Sequence, residues 1–277
     1  MANAQDLPDL STVSAELTVP SMTAGSPAPG QRVRQTTTGW EGTAVHHALY
    51  LPQDWKSGSK YPVIAEYAGN GGYKNKYGDV SEGTVQGSNL GYGLSGGKGF
   101  IWVCLPYVEE KSGVKGNATN WWGDVGETKR YALETLRHLA TAYGADASNV
   151  VLAGFSRGSI GCNYIGLHDD EIAPKWRAFF CHSHYDGVRE GWGYAGADRK
   201  SALARLQRLN GRPQWISHEG SVADIERYLN GTGVEIGEPG QFTLRALPFR
   251  NHSDQWVLRD IPERKAAREW LARVVGK

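Results

Sequence analysis

Short, nearly unbroken apolar runs recur along the chain, and between them apolar positions return every three to four residues. The runs are Tyr61 to Tyr67, Phe100 to Tyr107, Asn149 to Gly154, Ala178 to Ser183, Pro213 to His218 and Phe242 to Pro248. A strand with one wet face alternates apolar and polar residues, whereas continuous apolar runs suit strands covered on both faces. Helical spacing fills the intervals. Ala132, Leu136, Leu139, Ala140 and Tyr143 form one stripe, Ala202, Leu203 and Leu206 a second, and Ala267, Trp270, Leu271 and Val274 a third near the C-terminus. Strands alternating with helices predict an α/β fold with a mostly parallel central sheet flanked by helices on both faces. Before this alternation, Arg32 to Thr38 and Ala44 to Leu51 read as two strands joined by Gly39-Trp40-Glu41-Gly42, a hairpin or meander. Residues 1–30, rich in Pro, Ser, Ala and Gly without a sustained period, read as an extended arm. Residues 31–277 then form a single domain, a size at which one α/β core buries most of the unfolded surface.

Charge narrows the partners. Thirty Lys and Arg stand against 29 Asp and Glu, with no basic stripe, so nucleic acid is not expected. No apolar run approaches the roughly 20 residues of a membrane span. Cys104, Cys162 and Cys181 fall within the expected strands or core helix as small hydrophobes, and their spacing gives neither a disulfide framework nor a zinc motif. Ala2-Asn3-Ala4 resembles the small-residue end of a secretory signal, which suggests a secreted or periplasmic protein.

The chemistry concentrates at Gly154-Phe155-Ser156-Arg157-Gly158. On a parallel sheet, a strand-to-helix turn sits above the carboxyl ends of the strands, where ligands bind. The two glycines let neighbouring backbone close in, so Ser156 can occupy a strained turn with its hydroxyl at the tip, and the helix that follows starts with free N–H groups. The N–H of Arg157 can then face a developing oxyanion. A serine hydroxyl needs a base, and the base needs an orienting acid. His252 lies in the loop between the last strand and the C-terminal helix, which returns to the edge of the sheet that carries Ser156. For the acid, Glu219 sits directly after the Pro213 to His218 strand. It is favoured over Asp224, which a Ser221 N-cap would place at the third position of a helix, and over Asp186 as a third choice.

With these residues in place, the chain resembles the α/β-hydrolase superfamily, in particular its exported esterase and depolymerase-like branch. The likeness covers residues 31–277 and is carried by GFSRG together with ALYLPQDWKSGSKYPVIAEYAGNGG, YGADASNVVLAGFSRG and NHSDQWVLRDIPERKAAREWL. It implies a serine esterase that needs no cofactor or metal; no large lid is evident in the sequence, and with aromatic loops and the export signal this favours a small-molecule or polymeric ester such as acetyl or feruloyl groups on polysaccharides, or a polyester. It also implies an oxyanion role for the loop after Tyr67, with Asn70 as a donor. Here Tyr67-Ala68-Gly69-Asn70 replaces the His-Gly run usual in the family, and the usual Gly-x-x-Asp phrase around the acid is stretched to Gly220-Ser221-Val222-Ala223-Asp224.

Two other chemistries compete. His182-x-His184-x-Asp186 has the rhythm of a metal-dependent hydrolase, but Gly187 stands where the next histidine of that motif belongs. Ten Trp and thirteen Tyr admit a non-catalytic carbohydrate-binding protein. Trp121, Trp122 and Tyr185 are the expected substrate-binding side chains of the esterase reading.

Overall fold

The computed structural model describes residues 7–233 and 241–277. In chain order its strands are β1 (Thr23–Ala24), β2 (Arg32–Gln35), β3 (His47–Tyr50), β4 (Tyr61–Tyr67), β5 (Tyr73–Lys74), β6 (Val80–Ser81), β7 (Ile101–Leu105), β8 (Tyr107–Lys111), β9 (Val114–Ala118), β10 (Ala145–Phe155), β11 (Ala178–His182), β12 (Gln214–Glu219) and β13 (Phe242–Leu247). The helices are α1 (Leu90–Ser95), α2 (Val125–Tyr143), α3 (Arg157–Tyr164), α4 (Arg199–Gln207), α5 (Ala223–Gly231) and α6 (Pro262–Val275). Nine strands form one sheet in the order β1-β2-β3-β7-β4-β10-β11-β12-β13, and every pairing is parallel except those of β3 with β2 and β7.

Both faces of this sheet are covered. Val63, Ala65 and Tyr67 of β4 pack with Val150 and Leu152 of β10 into a core shared with α2, α3, α4 and α5. Ile64, Val151, Ala153, Phe155, Phe180 and Trp215 point the other way and meet α1 and α6. This alternation between two dry faces is why the sequence runs are apolar throughout. Where the strand ends differ from expectation, the cause is local. The run from Phe100 to Tyr107 breaks at Pro106, which has no N–H to give, and the chain turns into a separate β8–β9 hairpin through Ser112 (φ 52°) and Gly113 (φ 79°). Strand β10 begins four residues before the apolar run because the polar stretch Ala145 to Asn149 extends the strand at its solvent end. The α5 N-cap is Val222, not Ser221, although the Ser221 hydroxyl accepts from the Ala223 N–H.

One short helix, α1, is built around a buried charge. The Glu66 carboxylate on β4 accepts the N–H groups of Asn89, Leu90 and Gly91 and the indole N–H of Trp102. Burial pushes its carboxyl up, and these donors work against that rise. The arm before β2 lies along the other end of the chain: Leu10 is buried, its N–H donates to Asn251 Oδ1, and Glu16 and Leu17 donate to the Leu258 carbonyl.

The connections after β4 and β10 leave in opposite directions, β4 through α1 to β7 and β10 through α3 to β11, so the crevice between their carboxyl ends is the topological switch point. Contact there is very close. A Cβ on Gly158 would lie 2.0 Å from the Tyr67 carbonyl oxygen, and one on Gly154 would lie 2.1 Å from the Gly158 carbonyl oxygen. Because both obstacles are backbone, Gly158→Ala is expected to cost roughly 2 kcal/mol or more. Urea unfolding should record this as a lower midpoint with an unchanged slope.

Candidate active site

Ser156 stands at the switch point between β10 and α3, with φ 55° and ψ −121°. Such a conformation is costly for a residue with a side chain and persists only where surroundings enforce it. Here the two glycines supply the space, and the Ser156 N–H is held by the His182 carbonyl at 2.9 Å. The hydroxyl expected at an open tip is instead enclosed, with the residue 4% exposed. His252 Nε2 lies 2.8 Å from Ser156 Oγ, and His252 Nδ1 lies 2.6 Å from Glu219 Oε1. Three residues from the β10–α3 elbow, the end of β12 and the loop after β13 thus meet in one hydrogen-bonded line.

The acid is held as a carboxylate. Burial alone raises the Glu219 carboxyl, but the hydrogen bond from His252 and the neighbouring His252, His218 and His182 imidazoles outweigh it and hold the group well below the usual carboxylate range. Asp224 is not in this line: it is exposed on α5 and pairs with Arg227 at 2.7 Å. Asp186 is buried against Arg205, which donates to both of its oxygens at 2.8 and 3.1 Å, and takes a third bond from the Tyr194 hydroxyl.

The loop carrying His252 is fixed from the opposite side. Asp79, at the foot of the β5–β6 hairpin, accepts the His252 N–H and the Asn251 amide, each at 2.8 Å, while Asn75 donates to the same carboxylate. Tyr73, from that hairpin, sets its ring edge-on to the His252 imidazole at 4.8 Å, and the His184 ring lies 5.1 Å away, tilted to it. Asp79, Tyr73 and Ser183 carry no signal in the sequence, and His184, which the sequence offers as a metal ligand, stands instead beside the His252 ring. The bond by which Asp79 holds His252 is to a backbone N–H, which leaves no pattern in side chains.

Asn70 follows β4 beside Ser156. Its amide clasps Trp121, donating to the Trp121 carbonyl at 2.8 Å and accepting the Trp121 N–H at 3.1 Å. The side chain therefore shapes the loop, and what remains for a ligand is the backbone N–H. Among the described residues, neither that N–H nor that of Arg157 has a protein acceptor. The Arg157 guanidinium lies 3.8 Å over the Trp121 ring and donates to Asn120.

Of the expected substrate-binding side chains, Trp121 is half-buried at the rim, with φ 55°. Trp122 is 2% exposed among Tyr107, Tyr164 and Tyr194, so it belongs to the core and offers a substrate no surface. Tyr185 borders a groove of about 640 Å³ beside Glu219 but is 3% exposed, and its hydroxyl donates to Gln214. The sides of that groove are formed by His184, Trp192, His218 and Arg189.

The His182-x-His184-x-Asp186 segment does not assemble as a ligand set. His182 must donate from Nε2 to the Ser253 carbonyl, so its Nδ1 accepts from the Ser217 hydroxyl, and Asp186 is committed to Arg205. Among the described residues no cluster of three or more His, Cys, Asp or Glu side chains has the arrangement of a metal site.

Neither a protein-family model nor a curated protein sequence matches the chain. Solved structures do. An S-formylglutathione hydrolase from Agrobacterium tumefaciens superposes with a TM-score of 0.61 at 16% identity, over 91% of this chain and 99% of that one. A mutant of the feruloyl esterase module from Clostridium thermocellum, complexed with sinapinate, gives 0.54 at 14% identity over 90% and 94%. A thermostable esterase gives 0.51 at 17% identity over 87% of this chain, which spans 62% of its length. With the sheet order and the serine elbow, these likenesses establish the α/β-hydrolase fold.

Burial lowers His182 to about 4 and His184 to about 3, so both are neutral at pH 7. In the unfolded chain His182 takes up a proton near its ordinary value of 6.5. Its stabilising contribution is thus complete above pH 6.5 and is lost as pH falls toward 4, because only the unfolded state gains the proton. The stability difference between the wild type and His182→Gln should shrink over this window by at most about 1.4 kcal/mol per pH unit. Urea unfolding of both proteins at intervals from pH 7 to 4 measures it.

Proposed function

We propose that the chain is a serine hydrolase of carboxylic esters. The observation that carries this reading is the unbroken line Ser156 Oγ, His252 Nε2, His252 Nδ1, Glu219 Oε1 at the switch point of an α/β-hydrolase sheet. As His252 Nε2 takes the hydroxyl proton, Ser156 attacks the ester carbonyl. Glu219 keeps the Nδ1 tautomer and stabilises the imidazolium. The backbone N–H groups of Arg157 and Asn70 receive the oxyanion of the tetrahedral intermediate. His252 then returns its proton to the leaving alcohol, and a water activated by the same imidazole hydrolyses the acyl-enzyme.

For the substrate, the groove lined by Trp192 and His184 favours an ester carrying an apolar or ring-bearing group. Acetyl or feruloyl esters of polysaccharides, or a polyester, fit this reading. The neighbours named as esterases support the ester class. Polymeric substrates of this kind would accord with export, which the resemblance of Ala2-Asn3-Ala4 to the end of a secretory signal suggests; that segment lies outside the described residues.

An organophosphate should label Ser156 stoichiometrically, with the adduct located by peptide mass spectrometry. Turnover of p-nitrophenyl acetate should fall by roughly 10⁴-fold or more in Ser156→Ala while the fold persists. Glu219→Gln should lower kcat by at least about 10²-fold, whereas Asp224→Asn should leave it within about twofold. Full activity of Ser156→Ala, or turnover abolished by a chelator alone, would refute the assignment.

A further inference from the structure

We propose that Ser183 is a positioning residue of this relay, its hydroxyl holding the Glu219 carboxylate in line with the His252 ring. The inference rests on the reading of Ser156, His252 and Glu219 given above. Ser183 directly follows β11, is fully buried, and has φ 85°, a left-handed conformation that turns the chain out of the strand. Its N–H is fastened to the Ser217 carbonyl at 2.7 Å, which ties this turn to β12, the strand that ends in Glu219. Its Oγ lies 2.8 Å from Glu219 Oε2, 3.0 Å from Oε1 and 2.7 Å from His252 Nδ1.

Proton accounting assigns the roles. His252 Nε2 faces a hydroxyl whose proton it must accept, so Nδ1 carries the ring proton and donates it to Glu219 Oε1. The Ser183 proton can then go only to the carboxylate, leaving an oxygen lone pair toward Nδ1–H as a second acceptor. Among the described residues, Ser183 and His252 are the two side chains that donate hydrogen bonds to this carboxylate. The need for such a clamp follows from the acid itself. Glutamate has one more methylene, and so one more free torsion, than aspartate, and a buried carboxylate with a single donor is poorly fixed. A second donor from the adjoining strand removes that freedom.

The test is a double-mutant cycle on p-nitrophenyl acetate turnover, with each protein normalised to its organophosphate-titratable serine. Ser183→Ala should lower kcat by about ten- to a hundredfold with little change in KM, as a misplaced base would. Ser183→Gly, which relaxes the positive φ while also removing the hydroxyl, should lose the same factor. In a Glu219→Gln background, removing the Ser183 hydroxyl should cost less than about twofold, because the group through which it acts is already gone. Equal losses in the two backgrounds would overturn the proposal. So would an unchanged rate in either single variant, or a loss in the alanine variant that the glycine variant recovers, which would trace the effect to backbone strain. If Ser183→Ala does not fold, Ser183→Gly decides alone. Failure of the underlying reading would be seen separately, as persistent turnover in Ser156→Ala.

Discussion

The molecule is organised around a place where no side chain fits. At the end of β4 and the start of α3, two stretches of backbone approach so closely that a methyl group on Gly158 would overlap the Tyr67 carbonyl. That crowding forces Ser156 into its strained conformation and brings the Asn70 loop beside it. It also aims the first N–H groups of α3 into the same small volume. The parallel sheet supplies the two carboxyl ends, and the glycines supply the clearance. The Ser156 hydroxyl and the unpaired N–H groups of Arg157 and Asn70 are consequences of one steric arrangement, so neither can be relocated without the other.

The histidine is placed by a different principle. It lies on a loop, and loops drift unless tied. Asp79 grips its backbone, Tyr73 and His184 stand beside its ring, Glu219 takes one nitrogen and Ser156 the other. The neutral state of His182 and His184 keeps additional positive charge away from the imidazole at neutral pH. The Glu219 carboxylate accordingly faces few competitors for its charge.

Much of this was legible because burial on two faces writes itself as continuous apolar runs, and because Gly154 and Gly158 flank the serine at a spacing few other tasks require. Glu219 could be favoured over Asp224 because the helix spacing gave Asp224 an alternative place, and the exposed Asp224–Arg227 pair agrees with that. Helix α1 escaped notice for a physical reason. Two of its six residues are Gly91 and Gly93, where a Cβ would strike Trp102 and Val257 at 2.1 Å, so the demands of packing erased the helical signal. The β8–β9 hairpin was hidden by the apolar run it continues. Trp122 could not be told from Trp121, since adjacent tryptophans look alike until one turns inward. Ser183 and Asp79 act through contacts made far along the chain, and a lone serine or aspartate announces nothing.

The arm and the base loop have a further consequence, in the order of events during synthesis. Leu10 donates to Asn251, 241 positions later, and Arg259 returns bonds to the carbonyls of Leu10 and Val13. A ribosome releases the first partner long before it makes the second. The leading segment therefore has no docking site while most of the polypeptide is being made, and the histidine loop receives its last fastening only when the trailing residues emerge. The contact between the arm and the His252 loop would then form late, after the strands of the sheet have been made.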